Sequence, residues 1–179
     1  MVLKEQTMCQ KLLFWSVMVL ILALTAFSSA PVLASHKDNM SEALRAYDSG
    51  NYDRAHKIWS HHAKGGNPGA MTALASMYQN GEGRPTDSAT SWKWYQRAAD
   101  RGDVMAQLNL GDMLAAPPRT HGNIERAYFW LGLASAGGNK FAGRLQKKIS
   151  DFLSREERAL LDKEISEWSP LSDKTPVND

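Results

Sequence analysis

The chain of 179 residues is 43% hydrophobic and 22% charged, too apolar for a disordered chain and too charged for a multi-pass membrane protein. Its 21 Lys and Arg against 19 Asp and Glu leave a net charge of +2, which supplies no long-range basic field of the kind that draws nucleic acid. Cys9 is the single cysteine, so neither a disulfide framework nor a Cys-ligated zinc site can be built.

The first element reads as an address. Lys4 and Lys11, offset by Glu5, flank the start of an uncharged run from Leu12 to Phe27, followed by the small-residue stretch SSAPVLASH. As a helix the run spans roughly 24 Å, short of the ~30 Å hydrocarbon core. A basic start, a short apolar centre and an A-x-A-like end describe a secretory signal peptide over residues 1–34. Cleavage after Ala30 would place Pro31 first in the mature chain, which signal peptidase is expected to disfavour. Cleavage between Ala34 and Ser35 is the expectation, and an uncleaved N-terminal anchor is the rival, since a tilted helix tolerates mismatch. Removal of residues 1–34 takes Lys4, Lys11, Glu5 and the only cysteine, and leaves all five histidines. Such a chain must hold together by packing alone, which suits a bacterial periplasm or secretion.

Residues 35–39 read as a linker, and from residue 40 the chain repeats itself. AKGGNPGA (63–70), ADRGDVMA (99–106) and SAGGNKFA (135–142) align without gaps, so Gly66, Gly102 and Gly138 recur every 36 residues. Ala70, Ala106 and Ala142 keep the same spacing, as do Asn67, Asp103 and Asn139. With no strand-like alternation, this period holds two helices. Glycine just past a helix takes a left-handed backbone. The Asn or Asp that follows caps the next helix by accepting from its free amides. The expected helices lie near 40–48, 52–64, 68–79, 87–100, 104–115 and 124–136, in units 40–66, 67–102 and 103–138. Phe141, Leu145, Ile149 and Phe152 then form an amphipathic stripe. Ser154 and Glu157 form a capping box ahead of Leu161, Ile165 and Trp168. These capping helices over 143–169 end at Pro170, and 170–179 is expected to be a disordered tail.

The middle unit, ALASMYQNGEGRPTDSATSWKWYQRAADRGDVMA (73–106), resembles the Sel-one-like repeat (SLR) family. Matching positions are Ala70, Leu74, Tyr78, Gly81, Gly83, Asp87, Trp94, Tyr95, Ala98, Ala99, Gly102 and Ala106. Ala75, Arg84 and Ser91 depart from the family pattern. Unit three keeps Leu110, Gly111, Ala127, Trp130, Ala134, Gly138 and Ala142 but has Ala-Ala-Pro-Pro (115–118) between its helices. Unit one is shorter and closer to a plain tetratricopeptide unit. The resemblance covers about residues 40–142. It implies an all-α, right-handed α-solenoid of about three helix-turn-helix repeats with a two-helix C-terminal cap, used for protein–protein contact and not for chemistry.

The residues themselves nominate no catalytic, cofactor or metal site. His56 lies about 140° from His61 and about 120° from His62 on a helix, whereas zinc on one helix face needs i, i+4 spacing. No G-x-S-x-G, P-loop, dinucleotide fingerprint or H-E-x-x-H occurs. The mixed charges of the C-terminal region (Arg144 to Arg158) read as a solvated face with i, i+4 pairs. An envelope enzyme whose site needs three dimensions to see is the alternative to an interaction module. Candidate partner-binding residues are His56, Trp92 and Tyr128, one per repeat at the edge of the core-facing arc formed by Ser91, Trp94, Tyr95 and Ala98. Two roles fit this ladder: an exposed recognition strip, or rings that seal the seam between repeats. A groove along the first helices of the pairs is the expected docking surface, with the ladder as the second candidate. The expected partner is an unidentified protein, with no nucleic acid and no membrane contact once the signal is removed.

Overall fold

The computed structural model describes residues 32–172, with side chains from residue 40 onward. Residues 1–31, which carry most of the expected signal peptide, and residues 173–179 lie outside the described residues. Eight α-helices follow in order: α1 (Val32–Asp48), α2 (Tyr52–Lys64), α3 (Pro68–Asn80), α4 (Ser88–Ala99), α5 (Val104–Ala115), α6 (His121–Ala136), α7 (Lys140–Ile149) and α8 (Arg155–Glu167). A single 3-10 turn, Ser150–Phe152, lies between α7 and α8, and no strand occurs among the described residues. Contacts divide the chain between Asn39 and Met40. The packing below is that of the unit from Met40.

The boundary between repeats is the same small machine three times. Gly66, Gly102 and Gly138 take φ of 91°, 85° and 93°, values glycine adopts without a Cβ penalty. The next amide then reaches back across the turn: Asn67 N to His62 O at 3.0 Å, Asp103 N to Ala98 O at 3.1 Å, Asn139 N to Ala134 O at 3.0 Å. This closes the last turn of the finished helix. The side chains of the same three residues open the next helix, accepting from Ala70 N at 2.9 Å, Ala106 N at 2.8 Å and Ala142 N at 3.0 Å. Local chemistry thus sets both the period and the direction of each new helix.

From α2 to α7 each helix packs on the next in the chain, and α8 packs along α6. Ala70, Ala106 and Ala142 are fully buried and let backbones approach. Trp59, Tyr95 and Leu131, also 36 residues apart, fill the space between. A close approach between α5 and α6 is made at Gly111. A Cβ there would stand 2.5 Å from Leu131 Cγ and 2.8 Å from its Cδ2.

The expected two-helix C-terminal cap is present: α7 starts at the same turn as the repeats, and α8 lies along α6, with Tyr128 donating to Asp162 Oδ1 at 3.0 Å. Three expectations are corrected. The linker over 35–39 is helical, because no proline or glycine between Val32 and Met40 stops α1 from running back past residue 40. The stripe on α7 is narrower than expected. The 3-10 turn rotates Phe152 outward (55% exposed) and brings Leu153 inward, while Phe141 is half exposed at the other end. Finally, the tail begins in order. Leu171 N donates to Asp100 O at 2.8 Å, and Pro170 lies over Gly102, where a Cβ would come within 3.3 Å. Trp168 is partly buried beside it.

Candidate functional site

The aromatic ladder lies at the seams. His56 Nε2 sits 3.2 Å from the Tyr78 hydroxyl, with the two rings edge-on. Burial, and secondarily the Arg84 guanidinium, hold its pKa below the ordinary imidazole value. Trp92 is partly buried under the guanidinium of Arg126, 5.5 Å from the ring centroid. Tyr128 is buried and bonded to Asp162. Each residue therefore faces the following helix pair, and the exposed-strip role is ruled out for Tyr128. The ring completes the α6–α8 seam because that face of α6 is covered by α8. His61 is exposed and His62 buried, their rings 5.6 Å apart edge-on. Trp94, expected in the core-facing arc, is only half-buried and lies beneath Arg97, whereas Ser91, Tyr95 and Ala98 are buried. Phe129 packs edge-on against Trp130 and lines an open groove with Leu161.

The exposed apolar residues gather on the other side, on the first helices of the pairs. Leu44 on α1, Met105 on α5 and Phe141 on α7 are each about half exposed, and Phe152 follows directly after α7. Met105 and Phe141 are one repeat apart, and Asn139 Nδ2 reaches Met105 Sδ at 3.8 Å between them. A cleft lined by Asp112, Ala115, Arg119, Leu145, Lys148 and Phe152 continues this surface between α5 and α7.

Its α7 edge is cationic, and Asp112 is the acid in the cleft. Lys140, Arg144, Lys147 and Lys148 are all exposed, and α7 carries no acid. Their i, i+4, i+7, i+8 spacing places them on one side of the helix. Arg144 stands 5.4 Å from the Phe141 ring and Arg119 5.7 Å from the Phe152 ring. Of the expected mixture of signs, α7 takes only cations, and the acids begin with Asp151 and share α8 with Arg155, Arg158 and Lys163. Cations stacked on exposed rings can hold carboxylates while the rings take apolar side chains. Sequence reasoning named the first-helix groove but missed these residues. Met105 and Phe141 could have been found by reading the 36-residue register along the first helices as well as the second.

No other protein of known function in the curated comparison matches the chain. The Sel1 repeat family pattern matches residues 68–103 and 104–139. Among solved structures, the chain is similar to c5321, a protective antigen present in uropathogenic Escherichia coli strains that displays an SLR fold. The TM-score is 0.64 at 17% identity, over 74% of this chain and 30% of that one. The chain therefore spans under a third of that protein's length, and the likeness is one of fold. Sel1 repeats are generally protein–protein interaction modules on a scaffold that is typically non-catalytic. Among the described residues no helix is long and apolar enough to cross a membrane. With its 36-residue helix pairs and shared turn chemistry, the chain carries Sel1 repeats at 68–103 and 104–139 on an SLR-type fold.

Proposed function

We propose that the chain is an exported, non-catalytic adaptor, assembly factor or regulator of the cell envelope. Its first-helix side docks an acidic, apolar-bearing segment of a protein partner. The observation that carries this reading is the gathering of Met105, Phe141 and Phe152 beside an all-cationic α7. Exposed apolar groups rimmed by charge are the usual mark of an interaction surface. Export rests on the apolar run Leu12 to Phe27 and the small residues up to Ala34.

A photo-crosslinking residue placed at Met105 or Phe141 in the cell, compared with one at Lys57 on α2, tests the surface. The reading requires a discrete adduct from the first two positions that is lost in an Arg144→Glu, Lys148→Glu chain. Adducts from Lys57 alone, or adducts insensitive to the charge reversal, refute it. Mass spectrometry of the mature N-terminus tests export: a chain beginning at Ser35 supports the periplasmic or secreted reading, and an intact N-terminus favours the anchor.

A further inference from the structure

His121, Glu125 and Glu157 form a three-residue group whose ligand atoms all lie within 4.8 Å of one another. His121 Nε2 stands 2.8 Å from Glu157 Oε1 and 3.7 Å from Glu125 Oε1. His121 and Glu125 are four apart on α6, the spacing that puts two ligands on one helix face. Glu157 arrives from α8, one repeat period after His121.

We propose that this cluster is a binding site for a divalent transition-metal ion of the zinc class, which clamps α8 to α6. Zinc holds imidazole nitrogen and carboxylate oxygen at about 2.0–2.2 Å in a tetrahedron, which separates ligand atoms by about 3.3 Å. The two observed separations bracket that value, so an ion enters with side-chain adjustments only. The ligand set also selects the metal, because imidazole favours zinc, nickel or copper over magnesium and calcium.

The neighbours prepare the site. Glu157 Oε2 accepts from Ser154 N at 2.7 Å as half of the capping box, which leaves Oε1 aimed at His121. An outer contact that fixes a ligand's orientation is the usual companion of a metal site. Three protein ligands leave a fourth position for water. The metal takes the Nε2 lone pair, so the ring binds as the neutral form with its proton on Nδ1. The ion would join the ends of α6 and α8, where the ordinary contact is a solvent-screened ion pair.

Isothermal titration of the chain with zinc chloride, beside magnesium and calcium chloride, tests the assignment, with thermal unfolding as a second reading. One equivalent of zinc should bind saturably and raise the Tm, while magnesium and calcium do neither. Binding should weaken at least tenfold in His121→Gln and in Glu157→Gln. The second substitution keeps a capping-box residue, and circular dichroism verifies that both variants are folded. His61→Gln should leave zinc binding unchanged. Absence of saturable zinc binding overturns the proposal, as does binding that persists in His121→Gln or depends on His61.

Discussion

The contact between Gly111 and Leu131 allows a quantitative test of how these repeats pack. Leu131→Ala removes a fully buried side chain, a change that costs about 2–5 kcal/mol depending on how far the site collapses. Gly111→Ala does the opposite: its new Cβ would lie 2.5 Å from Leu131 Cγ, 2.8 Å from Cδ2 and 3.2 Å from the Leu131 backbone nitrogen. Overpacking of this kind costs about 1–3 kcal/mol, offset in part by the ~0.5–1 kcal/mol that alanine gains over glycine within a helix. In the double variant the two close side-chain atoms are gone and only the 3.2 Å backbone contact remains. There Gly111→Ala should become neutral or stabilise by up to about 1 kcal/mol, so the two changes couple by about 1–3 kcal/mol. Urea unfolding of the four chains, followed by circular dichroism and tryptophan fluorescence, measures each corner of the cycle. Additivity within about 0.5 kcal/mol would show that the α5–α6 approach does not depend on a missing Cβ, and the packing argument would fail.

Three further outcomes are expected. Tyr95→Ala, which empties a site 1% exposed, should cost about 3–5 kcal/mol, and Trp94→Ala, with its ring half in solvent under Arg97, only about 1–2 kcal/mol; equal losses in urea unfolding would contradict these placements. His56 should titrate below its ordinary 6.5 in an NMR pH series, because burial and Arg84 disfavour the cation. The unfolded chain then takes the proton first, so stability drops as pH falls through 6.5 toward the native value, and a midpoint at or above 6.5 would refute the packing of that ring. The Tyr47 hydroxyl donates to Glu82 at 2.6 Å, and this bond with burial pushes its pKa up to about 12. Its stabilising contribution is present below about pH 10, where unfolded tyrosine ionises, and is lost as pH rises through about 12. Ultraviolet titration of Glu82→Gln should show one phenol ionising earlier, and an unchanged curve counts against the bond.

What could be read from the residues was what local chemistry decides. Asn67, Asp103 and Asn139 cap helices using atoms three residues away, and their glycines need only a left-handed backbone, so both are visible in a short window. The His56–Trp92–Tyr128 register was also readable, but not its exposure, because that depends on which ring the next helix covers. Trp94 looked like core by spacing, yet it packs only at the core's edge, where Arg97 on its own helix covers the ring. The His121–Glu157 contact joins residues a full period apart on parallel second helices, and its signal was that spacing itself. The start of α1 was not legible, since Asp38 and Asn39 offered a cap near residue 40 while no proline or glycine between Val32 and Met40 stops the helix.

The bond from Leu171 to Asp100 alters the topology of an otherwise linear array. When each unit touches only the next, the end unit can melt alone, and unfolding runs inward like a zipper. Here the final residues return to the turn between α4 and α5, so the last helix pair cannot separate without also releasing a contact two units back. The C-terminal end is tied to the middle of the array. That end should therefore exchange amide protons at rates closer to those of the middle than an untied end of the same stack allows.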